Sequence, residues 1–212
     1  GDRMILAPLT LNPNLDDEAV RVMARQFADG DRDGDGICEA RPVNVVVLVP
    51  SNKAAQAWGP HADQVLRVGD LEAGVAQLKG GHIGLVVLVN KYDGVDLPAS
   101  ACELLILDGV PRPLDAAERR EAIALADSPS RLAREVQRIE QGMGRGTRDS
   151  EDHCAVVLMG ADLGLATYDP RRLVLFSPAT RAQLTLSRDI ADAMGEGPSY
   201  FHRGAGAGEI GL

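Results

Sequence analysis

Residues 141–148 hold the groups of this 212-residue chain that are best suited to chemistry. They read Q-x-x-G-R-x-x-R, with Gln141, Gly144 and two arginines, Arg145 and Arg148. Residues at i and i+3 share one face of a helix, and a guanidinium fork matches two phosphate oxygens. The spacing therefore predicts a site that neutralises a phosphate during its transfer. The alternative is a surface helix with two solvated arginines.

A second candidate is the loop at residues 90–98, which starts at Asn90, directly after an apolar run. Gly94 would let the backbone approach a phosphate closely, and Asp96 could hold an arginine or a ribose hydroxyl. A turn whose aspartate and glycine serve only the backbone geometry is the alternative.

A third candidate is Ser51, which follows the apolar run at residues 43–49 and Pro50. The order of a strand, a proline, a serine and a helix is common in proteins. Ser51 could therefore simply cap the helix.

Short apolar runs alternate with helical patterns along the chain, and several polar residues are suited to begin the helices. Asp16 or Asp17, Asp70 and Ser130 are the expected N-caps. The pattern predicts strands at 43–49, 64–68, 84–89, 103–108 and 154–159, and helices at 16–28, 52–58, 70–79, 115–126, 130–143 and 179–194.

These elements predict an α/β fold with a mainly parallel sheet that is covered by helices on both faces. Near-continuous valine and leucine strands separated by helices are typical of such a sheet. Ligands then bind at the carboxyl ends of the strands, where Ser51 and Asn90 fall and against which the arginine helix could lie. The predicted segments are an entry at 1–42, the main domain at 43–176, a helix at 177–194 and a disordered tail at 195–212.

Composition limits the class of protein. The net charge of −9 argues against a general basic coat for nucleic acid. Three distant cysteines form no C-x-x-C pair, which fits a reducing cytosol, and no run is long enough for a membrane span or patterned as a signal peptide. We therefore expect a cytoplasmic location.

One segment of this acidic chain is rich in arginine and predicts local, salt-sensitive nucleic-acid binding. It contains Arg119, Arg120, Arg131, Arg134, Arg138, Arg145 and Arg148.

Residues 31–36 match the opening of an EF-hand calcium loop, with carboxylates at alternating positions and a glycine for the turn. The twelfth position of such a loop, a bidentate glutamate, falls on Pro42, and no second helix is predicted after it. We interpret the segment as a solvated acidic turn and expect no metal site.

Together, the three candidates resemble motifs IV, V and VI of superfamily 2 helicases, in the order and with the spacing of that family. V-V-V-L-V-P-S at 45–51 resembles motif IV, Y-D-G-V-D-L-P at 92–98 resembles motif V, and residues 141–148 resemble motif VI. The resemblance covers about residues 43–162 and is to the C-terminal RecA-like lobe, near the bacterial XPD/DinG-like DEAD/DEAH-box members. It implies a RecA-like, P-loop NTPase-like sandwich.

The resemblance also implies roles for the candidate residues. Arg145 and Arg148 would act as arginine fingers on ATP, and Asp96 would orient them. Gln141 would contact the nucleotide, as would the backbone at Gly94 and Gly144. Ser51 and Asn90 would touch the backbone of a nucleic-acid strand, with DNA favoured over RNA.

The chain departs from the family in its missing phosphate loop. Lys53, Lys79 and Lys91 do not follow a glycine, and the acidic residues 17–20 do not follow an apolar strand. We therefore expect a fragment with half an ATPase site, which cannot hydrolyse ATP alone. An N-terminal RecA-like lobe would supply the Mg²⁺ ligands and most phosphate ligands. The alternative is a non-catalytic RecA-like module that binds nucleic acid or a partner protein.

Overall fold

A six-stranded parallel sheet forms the centre of the molecule in a computed structural model of the chain, which describes residues 3–67, 69–90, 97, 101–110, 120, 129–144 and 154–193. The strand order is β1-β6-β5-β2-β4-β3, and all paired strands run parallel. The strands are β1 (Arg3–Leu6), β2 (Val45–Val49), β3 (Gln64–Leu66), β4 (Leu85–Val89), β5 (Leu104–Asp108) and β6 (Cys154–Met159).

Helices of very different length accompany the sheet within the described residues. The longer ones are α2 (Asp17–Asp29), α4 (Leu71–Gly80), α5 (Pro129–Met143) and α8 (Pro178–Ala193). The shorter ones are α1 (Pro8–Leu11), α3 (Asn52–Gln56), α6 (Ala161–Ala166) and α7 (Pro170–Leu173).

The central strands are apolar along their whole length because helices cover both faces of the sheet. All five residues of β2 and all five of β4 are buried. Val45, Val47 and Val49 pack in one core with α2 and α3, whereas Val46 and Leu48 pack in a second core with α4, α5, α6 and α8. This arrangement confirms the predicted α/β class and is consistent with a RecA-like sandwich.

The chain leaves the carboxyl ends of the neighbouring strands β2 and β4 toward opposite faces of the sheet. After β2 it continues into α3, whose Ala55 belongs to the core with α2. After β4 it continues to Leu97, which is buried in the opposite core. Neighbouring strands whose following segments diverge in this way leave room for a ligand at their carboxyl ends.

One predicted helix cap is wrong. Ser130 lies inside α5, which begins at Pro129, because the fixed φ of proline suits the first helical position. Asp70 occupies the predicted N-cap position of α4, although its side chain makes no capping hydrogen bond. Asp16 does cap α2, since its carboxylate accepts a hydrogen bond from the Ala19 amide at 2.7 Å.

The sequence analysis missed β1, which forms one edge of the sheet beside β6. Its Ile5 amide donates to the Ser187 hydroxyl of α8 at 2.9 Å, so the last helix and the first strand stabilise each other. The predicted helix at 115–126 and the tail at 195–212 lie outside the described residues, apart from Arg120. Among the described helices, none is long and apolar enough to cross a membrane.

Candidate functional site

Ser51 stands directly beyond β2 and begins α3. Its backbone is extended, with φ −164°, and its hydroxyl oxygen accepts a hydrogen bond from the Ala54 amide at 3.2 Å. This is the N-capping geometry that the sequence allowed. A serine hydroxyl can donate one hydrogen bond while it accepts another, so capping leaves the Ser51 proton available to a ligand oxygen.

Asn90 occupies the corresponding place beyond β4. The backbone amide of Asn90 donates a hydrogen bond to the Val49 carbonyl at 2.7 Å. This hydrogen bond holds Asn90 at the end of β2, near Ser51. Its φ is +53°, a left-handed conformation that asparagine tolerates better than most residues. The fold therefore brings the two predicted nucleic-acid contacts to the ends of neighbouring strands.

The side-chain carbonyl of Asn90 is left unsatisfied. Its Oδ1 is buried and has no hydrogen-bond partner within the part of the chain that the structure describes. A buried polar atom without a partner costs free energy. Strain and an unsatisfied acceptor at one residue are typical of a functional position, and a ligand that donates a hydrogen bond would relieve the second cost.

Asp108 is a polar residue of this edge that the sequence analysis did not single out. It is the last residue of β5, and its carboxylate accepts a hydrogen bond from the Trp58 indole at 2.7 Å. Burial raises the pKa of Asp108, although the Trp58 hydrogen bond and the positive charge of Arg21 oppose the rise. The sequence signal was an ionisable residue that ends an otherwise apolar strand.

Trp58 is completely buried, in the core with α2. The Arg21 guanidinium lies 5.7 Å from the centre of its ring. Trp58 is therefore a packing residue, and stacking on a nucleic-acid base would require the core to open.

Gln141 and Gly144 lie at the carboxyl end of α5. Gln141 is exposed, whereas Met143 beside it is buried. A Cβ atom at Gly144 would meet nothing within 4 Å among the described residues, so packing does not explain this glycine. Of the hydrogen bonds between described residues, none joins Gln141 to Ser51 or Asn90. Gln141 lies on α5, whereas Ser51 and Asn90 follow β2 and β4, and the meeting of these residues in one site stays a prediction.

Four predicted site residues lie outside the described residues: Arg145, Arg148, Gly94 and Asp96. Their roles as arginine fingers and as nucleotide contacts stay predictions.

The acidic loop before β2 gathers four carboxylates whose ligand atoms lie within 4.8 Å of one another, from Asp31, Asp33, Asp35 and Glu39. Asp31 accepts hydrogen bonds from the Gly34 amide at 2.8 Å and the Gly36 amide at 2.7 Å. These carboxylates accept hydrogen bonds from the loop's own backbone, and the interpretation as an acidic turn without a metal stays a prediction. Gly30 closes the loop with φ +74°, where a Cβ atom would lie 2.2 Å from the Ala40 carbonyl oxygen.

Comparison with known proteins does not add a family to these observations. No protein-family model and no curated protein matches the chain. The fold class and the grouping of Ser51 with Asn90 are therefore the findings from which a function can be argued.

Proposed function

We propose that the chain is the C-terminal motor lobe of an ATP-dependent nucleic-acid helicase or translocase. The observation that carries this proposal is the pairing of Ser51 with Asn90 at the carboxyl edge of the sheet. Their neighbourhood follows from the β2–β4 register, in which Val49 faces Val89. The order of the three motifs in the sequence supports the same proposal.

The nucleic-acid contact would be made by neutral donors. The Ser51 hydroxyl and the Asn90 side-chain nitrogen can each donate to a phosphate oxygen of a strand that lies across the carboxyl edge, a contact that does not use the unsatisfied Oδ1 of Asn90. Such contacts position a strand without reading its bases. Because neither group is charged, the lobe could release and regain the strand as the motor steps.

The nucleotide would bind between this lobe and a first lobe that carries the phosphate loop. The exposed Gln141 would lie beside an approaching phosphate group, and a Cβ atom at Gly144 would meet none of the described residues within 4 Å. Arg145 and Arg148 would then neutralise the charge that develops on the transferred phosphoryl group. The first lobe would supply the residues that hold Mg²⁺, which would neutralise phosphate charge. The proposed location is the cytoplasm, with DNA favoured over RNA as the strand.

The arginine fingers can be tested separately from nucleotide binding. In this chain joined to its phosphate-loop lobe, Arg145→Ala should lower ATP turnover by roughly 10³-fold or more, while ATP affinity stays nearly unchanged. Arg181→Ala is the control, because Arg181 is an exposed arginine on α8. Unchanged turnover in Arg145→Ala would remove the finger assignment.

A second candidate is a RecA-like module without catalysis, which the absence of a phosphate-loop motif from the sequence favours. The two candidates differ in one outcome. A motor lobe confers nucleic-acid-stimulated ATP hydrolysis when it is joined to a phosphate-loop lobe, whereas a binding module does not.

A further inference from the structure

Two cysteines meet at the amino edge of the sheet, opposite the edge that the proposed function uses. Cys102 precedes β5, and Cys154 is the first residue of β6. Their Sγ atoms lie 3.9 Å apart, although the residues are 52 positions apart in the chain. Cys102 is completely buried, and Cys154 is 3% exposed. The contact depends on the pairing of β5 with β6, so no local sequence pattern contains it.

The backbone holds the two cysteines in a position that suits a covalent bond. In the register of the two strands, Leu104 lies opposite Ala155. The Ala155 amide donates to the Glu103 carbonyl at 3.0 Å, so the pairing extends beyond β5 toward Cys102. Neighbouring strands lie about 4.8 Å apart, within the range of about 4.4–6.8 Å between the Cα atoms of a disulfide. Both cysteines belong to the same hydrophobic core, which places their thiols on one face of the sheet.

We propose that Cys102 and Cys154 form a reversible disulfide, which joins the amino ends of β5 and β6 when a small disulfide such as oxidised glutathione reacts with the chain. The two sulfur atoms, now 3.9 Å apart, must approach by roughly 2 Å to reach the length of the bond. Rotations about the two Cα–Cβ bonds can supply this movement. Disulfides in reducing compartments are usually transient, so a pair that is reduced at rest and closes on oxidation agrees with the proposed cytoplasmic location.

The bond forms by two exchange steps. Cys154 is the less deeply buried thiol, so it loses its proton first, and its thiolate attacks one sulfur of glutathione disulfide. A mixed disulfide forms, and one glutathione leaves. The Cys102 thiolate then attacks the Cys154 sulfur, and the second glutathione leaves. Two protein thiols are thereby oxidised, while one glutathione disulfide is reduced to two thiols.

The reagent reaches Cys154 through a local opening at the amino ends of the strands, which costs less free energy than global unfolding. Closure of the disulfide should therefore be slow in the folded protein. The closed bond links the two ends of the crossover that contains α5, and it restricts the unfolded chain more than the folded one. Because Ser51 and Asn90 lie at the opposite edge of the sheet, the proposal does not depend on the proposed function.

The test compares formation of the bond in the folded and the unfolded chain. The variant Cys38→Ser removes the exposed thiol and keeps both core cysteines. It is equilibrated in buffers of reduced and oxidised glutathione, in native conditions and in urea, and the remaining thiols are then alkylated and counted by mass spectrometry. We expect the equilibrium constant for the disulfide to be at least about tenfold larger in native conditions. Non-reducing peptide mapping should link Cys102 to Cys154.

A second measurement follows the stability of the closed form. Oxidation of Cys38→Ser should raise the unfolding temperature by roughly 5–10 °C, and dithiothreitol should reverse the rise. The matched control carries Cys102→Ser in addition, so the exchange stops at the mixed disulfide of Cys154 with glutathione, without this rise. The equilibrium measurement itself keeps both core cysteines and does not depend on the folding of the control.

Equal equilibrium constants in native conditions and in urea would overturn the proposal. Two thiols that stay open to alkylation after equilibration with oxidised glutathione would overturn it too, as would glutathione bound to both cysteines. Cys102 and Cys154 would then serve only to pack the core. DNA-stimulated ATP hydrolysis by the two joined lobes decides the motor function separately.

Discussion

At the scale of single residues, Asn90 combines features that ordinary packing does not explain. It has a left-handed backbone, and its buried Oδ1 has no partner among the described residues. Glycine adopts this backbone without strain, whereas alanine has a Cβ that opposes it. Substitutions at this position can therefore separate the fold from ligand binding.

Asn90→Gly should leave the free energy of unfolding nearly unchanged, because glycine adopts the left-handed backbone and the lost Oδ1 has no partner among the described residues. Asn90→Ala should cost about 1–2 kcal/mol for the left-handed conformation. Both variants should weaken oligonucleotide binding. Urea unfolding measures the change in stability, and fluorescence anisotropy measures the change in oligonucleotide binding. Full binding by Asn90→Gly would contradict the role of the Asn90 side-chain amide.

Asp108 should give the stability a pH dependence of defined sign. Its pKa is raised in the folded state, mainly by burial. The folded state therefore binds the Asp108 proton more tightly, and its contribution is fully present below the unfolded pKa. That contribution is lost as the pH rises through the raised pKa.

Asp108→Asn keeps an acceptor for Trp58 and cannot ionise. Its free energy of unfolding relative to the unsubstituted chain should therefore increase as the pH rises through that window. Urea unfolding across pH 3–8, followed by the fluorescence of the single tryptophan, measures the difference. A difference that does not vary with pH would contradict the raised pKa of Asp108.

The three cysteines should differ in reactivity. Cys38 is exposed, whereas Cys102 and Cys154 are buried with their Sγ atoms 3.9 Å apart. The Cys154 thiol and burial together raise the pKa of Cys102, which disfavours its reactive thiolate. Titration with a disulfide reagent should label one thiol quickly in the folded protein and three in urea. Rapid native labelling of all three would contradict this packing.

At the scale of elements, Ser51 has two roles that can be tested independently, the N-cap of α3 and the proposed phosphate contact. As the N-cap of α3 it satisfies the Ala54 amide, and Ser51→Ala should cost about 1 kcal/mol. Ser51→Asp keeps the cap and is favoured by the helix dipole, but its charge repels a phosphate.

Ser51→Asp should therefore retain the unfolding temperature while losing oligonucleotide affinity. Ser51→Ala should lower the unfolding temperature. Thermal unfolding and anisotropy on the two variants make the comparison. If Ser51→Asp binds as tightly as the unsubstituted chain, the hydroxyl serves only as a cap.

The elements also show what the sequence could predict. The strands β2, β4, β5 and β6 were predicted because continuous apolar runs report burial on both faces. A four-residue strand such as β1 has no comparable periodicity, and its position depends on pairing with β6, about 150 residues later. Ser130 was misread as a cap because serine and Pro129 both signal a helix start, and proline took the first position.

The candidate site, like the fold, could be predicted from the sequence only in part. The positions of Ser51 and Asn90 were predictable, since carboxyl ends of parallel strands meet at one edge. The Trp58–Asp108 hydrogen bond joins residues 50 positions apart and depends on β5 lying beside β2. No local pattern contains that information.

At the scale of the whole molecule, the proposed function requires a second lobe. One edge of the sheet groups Ser51, Asn90 and the half-buried Asp108. The sequence contains two arginines that resemble motif VI, Arg145 and Arg148, and has no phosphate-loop motif. The proposed ATP hydrolysis therefore depends on a second lobe that brings the nucleotide to these arginines.

The most direct test of that claim is ATP hydrolysis by the chain joined to its phosphate-loop lobe, with and without single-stranded DNA, and with the 212-residue chain as control. We expect hydrolysis that the DNA stimulates in the joined protein and none by the chain alone. A joined protein that folds and binds ATP, yet shows no hydrolysis with DNA, would contradict it.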